Sequence, residues 1–113
     1  RRLWAVYEPL TFHRTAAMLD AFAAALAEAD RAVIADIWAV RDRDTTVVTP
    51  EALALATARE SGKPATASGS PERTADLLAA NVRSGDVVLV MGGGRSYVIA
   101  ERLVELLATP KRG

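Results

Sequence analysis

Short unbroken apolar runs alternate along this chain with longer stretches in which apolar residues recur every three or four positions. The short runs predict buried strands, and the periodic stretches predict helices with one apolar face. The predicted strands are Leu3–Tyr7, Ala32–Trp38, a weaker one over Pro64–Ser68, and Val87–Met91. A helix is predicted after each strand: over Thr15–Ala29, from Thr49 to about Glu60, from Ser70 onwards, and through Ile99, Leu103, Leu106 and Leu107.

Two of the predicted helices carry the same start signal. Thr49 and Ser70 are each followed by proline and then glutamate, which is the pattern of an N-cap, a first helical residue and an acid in the first turn. The order of strands and helices, repeated four times, predicts an α/β fold with helices on both faces of a mostly parallel sheet. We therefore predict a single domain over residues 1–113, a Rossmann-like three-layer sandwich.

Composition narrows the chemistry. The 113 residues carry a formal net charge of zero, so no overall field favours nucleic acid or an acidic membrane surface. The chain has no cysteine, which excludes disulfides, thiolate zinc sites and cysteine nucleophiles. No apolar run approaches the roughly 20 residues that span a bilayer. Because a strand begins almost at once, we expect a piece of a longer protein. The lack of cysteine fits a reducing compartment, and we expect the cytoplasm.

The loop after the first strand is the main candidate for a site, because open α/β sheets bind ligands outside the carboxyl ends of their strands. Arg14 falls in this loop or in the first helical turn, and its guanidinium suits a carboxylate or a phosphate. The alternative is a solvated arginine. His13 is the only histidine and has no cysteine beside it, so we expect an exposed side chain and no metal site.

Two other segments follow strands. Asp36 lies near the end of the second strand and is followed by Arg41, so the pair could hold a polar ligand, whereas Asp42, Arg43 and Asp44 fit a solvated loop. Gly92, Gly93 and Gly94 separate the last strand from the last helix, a context that suits phosphate binding. Their spacing fails the dinucleotide and P-loop patterns, so a tight turn is the favoured interpretation.

Three ordered motifs resemble the C-terminal domain of the Mur ligases. Tyr7–Thr15 matches the family pattern Phe-Gln-Pro-His-x-Tyr-x-Arg-Thr, with glutamate, leucine and threonine at positions 8, 10 and 11. Asp36–Asp42 matches Asp-Ile-Tyr-x-Ala-Arg-Glu, and Gly85–Gly94 matches Gly-Asp-x-Val-Leu-x-Met-Gly-Ala-Gly. The motifs span nearly the whole chain and are closest to the members that attach L-alanine, although Leu10 and Thr11 leave the choice of amino acid open.

The resemblance implies a fragment of an ATP-dependent ligase of peptidoglycan synthesis, with ATP and Mg²⁺ held by the central domain of the full-length enzyme. There the carboxylate of UDP-N-acetylmuramate would be phosphorylated and then attacked by the amine of L-alanine. This domain would close over the ATP site, with Arg14, Thr15, Asp36 and Arg41 as substrate-binding residues and the glycine run as a nucleotide contact. Alone it would be inactive and hold no cofactor. The alternatives are a non-catalytic module that binds a nucleotide or a partner, and a sister ligase that attaches a peptide.

Overall fold

The computed structural model describes residues 1–39, 42 and 44–108. Four strands, β1 (Leu3–Glu8), β2 (Arg31–Ala35), β3 (Ala65–Gly69) and β4 (Val87–Gly92), form one sheet in the order β3-β2-β1-β4. All neighbouring strands are parallel. The helices are α1 (Phe12–Ala17), α2 (Leu19–Leu26), α3 (Pro50–Ser61), α4 (Pro71–Asn81) and α5 (Ser96–Ala108). The predicted α/β class and parallel sheet are confirmed.

Alternating side chains of the strands build two cores, one on each face of the sheet. Ala5 and Ile34 pack with α2 and α3 on one face, where Leu53 is completely buried. Trp4 and Val33 pack with α4 and α5 on the other face. Helices therefore cover both faces of the sheet, as expected for a sheet of parallel strands.

The predicted start signals of the two middle helices are confirmed. Thr49 Oγ1 accepts a hydrogen bond from Ala52 N at 3.1 Å, and Ser70 Oγ accepts one from Arg73 N at 3.1 Å. Gly62 closes α3 in the left-handed conformation at φ 70°. These local contacts satisfy backbone groups that a helix end leaves unpaired.

Two predicted boundaries are wrong. The helix predicted over Thr15–Ala29 begins three residues earlier, at Phe12, and divides at Met18 into α1 and α2. The strand predicted over Ala32–Trp38 ends at Ala35, because its register with β3 shifts between Ile34 and Ala35 and Trp38 makes only an isolated bridge to Leu10. Both differences alter the loops at the carboxyl edge of the sheet.

Candidate functional site

Arg14 lies at the carboxyl edge of the sheet, in the first turns of α1, six residues after β1 ends. Its backbone N–H donates to Thr11 Oγ1 at 3.1 Å, so the hydroxyl of Thr11 caps the helix that carries the arginine. The Arg14 side chain is exposed, and within the described part of the chain it has no hydrogen bond or ion pair. The guanidinium is therefore available to an anion from outside the domain.

Thr11 adopts φ 61° and ψ 142°, a backbone conformation that β-branched residues rarely take. Such a residue costs on the order of 1–3 kcal/mol and persists only where its surroundings hold it. The Thr11 N–H donates to the carbonyl of Trp38 at 3.0 Å, and the Trp38 N–H donates to the carbonyl of Pro9 at 2.8 Å. This pair of hydrogen bonds fixes the loop that leads to Arg14.

Tyr7 lies under the same loop, with its ring edge-on to that of Phe22 at a centroid distance of 5.6 Å. Burial raises the pKa of Tyr7, and the positive charge of Arg14 opposes the rise. The guanidinium of Arg14 therefore lies within electrostatic reach of the Tyr7 hydroxyl.

Thr15 and Asp42 support this loop from inside. Thr15 is completely buried, and its hydroxyl donates to the carbonyl of Thr11 at 2.7 Å. The carboxylate of Asp42 accepts from Phe12 N at 2.7 Å and from His13 N at 3.4 Å, where it suits the positive end of α1. The interpretation of Asp42 as a merely solvated residue is therefore wrong, whereas the predicted exposure of His13 is confirmed.

The second predicted pair is only partly described. Asp36 is exposed at the same edge of the sheet, just after β2, so its carboxylate is open to a ligand. Arg41 and Arg43 lie outside the described residues. Asp44 is exposed, and hydrogen bonds from Thr46 lower the pKa of its carboxyl. The structure thus places Asp36 and Arg14, both exposed, at the same edge of the sheet.

The glycine run forms a tight turn between β4 and α5. Gly92 has φ 134°, and a Cβ there would lie 2.5 Å from the backbone oxygen of Glu8. Gly94 has φ 57°. The Glu8 side chain reaches this turn, and its Oε1 accepts a hydrogen bond from Arg95 N at 2.9 Å. The carboxylate of Glu8 therefore already accepts the hydrogen bond of an amide that a bound phosphate would use.

Glu8 is a buried charged residue of the rim that the sequence alone does not reveal. It is only 2% exposed, although the sequence places it at the end of a strand where a charged side chain normally reaches solvent. Arg95, whose backbone it binds, forms an ion pair with Glu72 at the start of α4. The contact joins residues 87 positions apart in the chain, so no local pattern could have identified it.

The described residues contain neither a cluster of metal-ligating side chains nor a membrane-spanning helix. Across residues 1–39, 42 and 44–108, no group of three histidine, aspartate or glutamate side chains is placed to hold a metal ion. No helix in the same part of the chain combines the length and the apolar character needed to cross a membrane.

A four-stranded parallel sheet with helices on both faces defines a domain of the Rossmann-like α/β class. No protein-family model matches the chain. Proteins named UDP-N-acetylmuramate–L-alanine ligase do match it. The one from Alkaliphilus metalliredigens is 36% identical over 104 residues, which are 92% of this chain and 22% of that protein. The one from Acetivibrio thermocellus is 33% identical over 104 residues, with the same coverage.

A third relative of the same name, from Caldanaerobacter subterraneus, is 32% identical over 105 residues, 93% of this chain and 23% of that protein. The chain thus spans about a fifth of the length of the curated relatives it matches. The match falls in their C-terminal region, and the chain resembles the C-terminal domain of a Mur ligase. The resemblance inferred from the three motifs is confirmed.

Proposed function

We propose that the chain is the C-terminal domain of an ATP-dependent UDP-N-acetylmuramate–L-alanine ligase and that its carboxyl rim binds the incoming amino acid. The observation that carries this proposal is Arg14, an exposed arginine without a partner in the described chain, held at the end of β1 by a strained and capped loop. Relatives that bear this enzyme's name match the segment that contains it.

In the proposed reaction, the muramate carboxylate attacks the γ-phosphorus of ATP, ADP leaves, and the amine then displaces phosphate from the acyl carbon. Arg14 suits two groups in this sequence, the carboxylate of the amino acid and the acyl phosphate, because its planar guanidinium can bind either through paired hydrogen bonds. Asp36, exposed on the same rim, suits the ammonium group of the amino acid. Arg41 is proposed as a second cationic contact. The residues act by holding the amine in line with the acyl carbon.

Thr15 acts indirectly in this proposal. Its hydroxyl is bonded to the Thr11 carbonyl, so it holds the loop under Arg14 and does not itself face the rim. ATP and Mg²⁺ are assigned to the rest of the full-length enzyme, which would work in the cytoplasm. The turn at Gly92–Gly94 does not fit a phosphate as it stands, because the carboxylate of Glu8 already accepts from Arg95 N and would repel a second anion. A nucleotide contact there stays a prediction.

The test is a ligase assay of the full-length protein with UDP-N-acetylmuramate, ATP and a panel of amino acids. We expect phosphate release that depends on both the nucleotide sugar and an amino acid. Arg14→Ala should raise the amino-acid KM or lower kcat by about tenfold or more, as expected for a lost charge-assisted contact of about 1.5–3 kcal/mol. The matched control is Arg59→Ala, another exposed arginine on a helix, but in the last turn of α3 at the opposite edge of the sheet. Equal kinetics for the two variants would remove Arg14 from the site.

The alternative functions differ in what the protein binds. A non-catalytic nucleotide-binding module would bind ATP tightly as the 113-residue chain, whereas the ligase proposal expects weak or undetectable heat in calorimetry because most phosphate contacts lie elsewhere. A sister ligase would accept UDP-N-acetylmuramate with a peptide in place of a single amino acid. The same panel, extended to a tripeptide, therefore separates this reaction from L-alanine addition.

A further inference from the structure

The carboxylate of Glu8 occupies the N-terminal end of α5. Its Oε1 accepts from Arg95 N at 2.9 Å, and the N–H of Ser96 also stabilises the charged form. These are the amides of a 13-residue helix whose aligned peptide dipoles favour a negative charge at this end. Burial raises the pKa of Glu8, while the two amides and the positive charge of Arg95 oppose the rise. Arg95 is the charged group that faces Glu8 in the described chain.

Gly94 lies between this carboxylate and the ring of Trp38. A Cβ built on Gly94 would be 3.0 Å from Glu8 Oε1 and 2.7 Å from Cγ and Cδ2 of the indole. The absence of a side chain at Gly94 therefore lets the turn fit between the two groups. Any movement of the turn away from Glu8 also changes its contact with Trp38.

Trp38 is in turn hydrogen-bonded to the loop of Arg14. Its N–H donates to the Pro9 carbonyl, and its own carbonyl accepts from the N–H of Thr11. The side-chain hydroxyl of Thr11 caps the helix that carries Arg14. Packed contacts and hydrogen bonds thus lead without interruption from Glu8, through the glycine turn and Trp38, to the proposed substrate contact.

We propose that Glu8 is a positioning residue whose ionised carboxylate anchors the turn before α5 against Trp38 and thereby fixes the loop of Arg14. Protonation of the Glu8 carboxylate would remove the negative charge that the two amides and Arg95 stabilise. The rim of this chain should consequently respond to pH over the range in which Glu8 titrates. The benefit of holding Arg14 in place rests on the proposed function, whereas the contacts from Glu8 to Thr11 are independent of that function.

The test is a pH titration of the ¹⁵N-labelled 113-residue protein by NMR, across the carboxyl range of about pH 3 to 8. In the wild type, the amide signals of Arg95 and Ser96 should shift with a common midpoint above about 4.3, the ordinary value for glutamate. The amides of Trp38 and Thr11 should follow the same midpoint. Because this result comes from the unmodified protein, it does not depend on whether any variant folds.

Two variants assign the titrating group. Glu8→Gln should abolish the shift at all four amides, whereas the control Glu72→Gln, which removes the carboxylate paired with the Arg95 side chain, should leave it in place. Persistence of the shift in Glu8→Gln would overturn the proposal. So would a titration that stops at Arg95 and Ser96 without reaching Trp38 and Thr11. Neither readout uses ligase activity, so this inference and the proposed function fail on different measurements.

Discussion

Replacement of Gly92 by alanine tests whether β1 and β4 are held as closely at the rim as the structure shows. Gly92 is paired with Glu8 at the end of the β1–β4 ladder, and a new Cβ would lie 2.5 Å from the Glu8 backbone oxygen and 3.0 Å from its Cβ. The offending atom belongs to the backbone of a central strand, so it cannot move without disturbing the ladder. Gly62→Ala is the matched control, since Gly62 also has a positive φ but has nothing within 4 Å of the added carbon.

The expected cost differs between the two positions because only one includes a collision. At Gly62, alanine must adopt the left-handed conformation, which costs about 1 kcal/mol. At Gly92, a φ of 134° is strained for alanine by about 1–3 kcal/mol. Displacement of the Glu8 carbonyl adds about 1 kcal/mol for a lost ladder hydrogen bond. We expect a total of about 3 kcal/mol, roughly three times the cost at Gly62.

Urea unfolding followed by circular dichroism measures both costs. With a urea dependence of about 1–3 kcal/mol per molar, a loss of about 3 kcal/mol lowers the midpoint by about 1–3 M. The ratio of the two shifts does not depend on that slope if it is the same in both variants. Equal midpoints for Gly92→Ala and Gly62→Ala would show that the end of the β1–β4 ladder accommodates the added carbon at no cost. The close approach of Gly92 to the Glu8 backbone would then not constrain this position.

Two further predictions concern stability away from the rim. Leu53→Ala should lower the free energy of unfolding in urea by about 2–5 kcal/mol, because Leu53 is fully buried. The control Leu55→Ala, on the same helix but 53% exposed, should change it by less than about 0.5 kcal/mol. Similar losses in the two variants would contradict the packing of α3. Asp86 accepts hydrogen bonds from the side chains of Arg2 and Trp4, and these donors, with the charge of Arg2, hold the pKa of its carboxyl well below the usual value. A lowered folded-state pKa adds stability above the unfolded-state value of about 3.9 that is lost as pH falls below it. Asp86→Asn should therefore lower the midpoint of urea unfolding at neutral pH, and this decrease should become smaller as the pH falls below about 4. A decrease in the midpoint that is the same at every pH would contradict the role of the charge.

The elements that sequence alone predicts are those with local causes. The apolar run of β4 and the caps at Thr49 and Ser70 depend on neighbouring residues, and the structure confirms them. The early start of α1 depends on contacts of Phe12 with Asp42 and of Thr11 with Trp38, which lie more than twenty positions away. Hydrophobic periodicity carries no information about such contacts, so it predicts the start of the helix three residues too late.

The same distinction holds for the candidate site. The position of Arg14 follows from the general rule that parallel strands end at one binding edge, and sequence was sufficient to predict it. The burial of Glu8 required knowledge that β4 and α5 pack beside the end of β1. A glutamate after an apolar strand is normally solvated, so its contact with Arg95 N could be identified only once the topology was known.

We propose that the carboxyl rim of this domain faces the reaction centre of a ligase. Hydrogen–deuterium exchange of the full-length protein, with and without UDP-N-acetylmuramate, an ATP analogue and L-alanine, tests it most directly. We predict that the ligands slow exchange in the segment over 9–15, which contains Arg14, and leave the segment over 59–64 at the opposite edge unchanged. Protection confined to 59–64, or none in either segment under saturating ligand, would contradict the account.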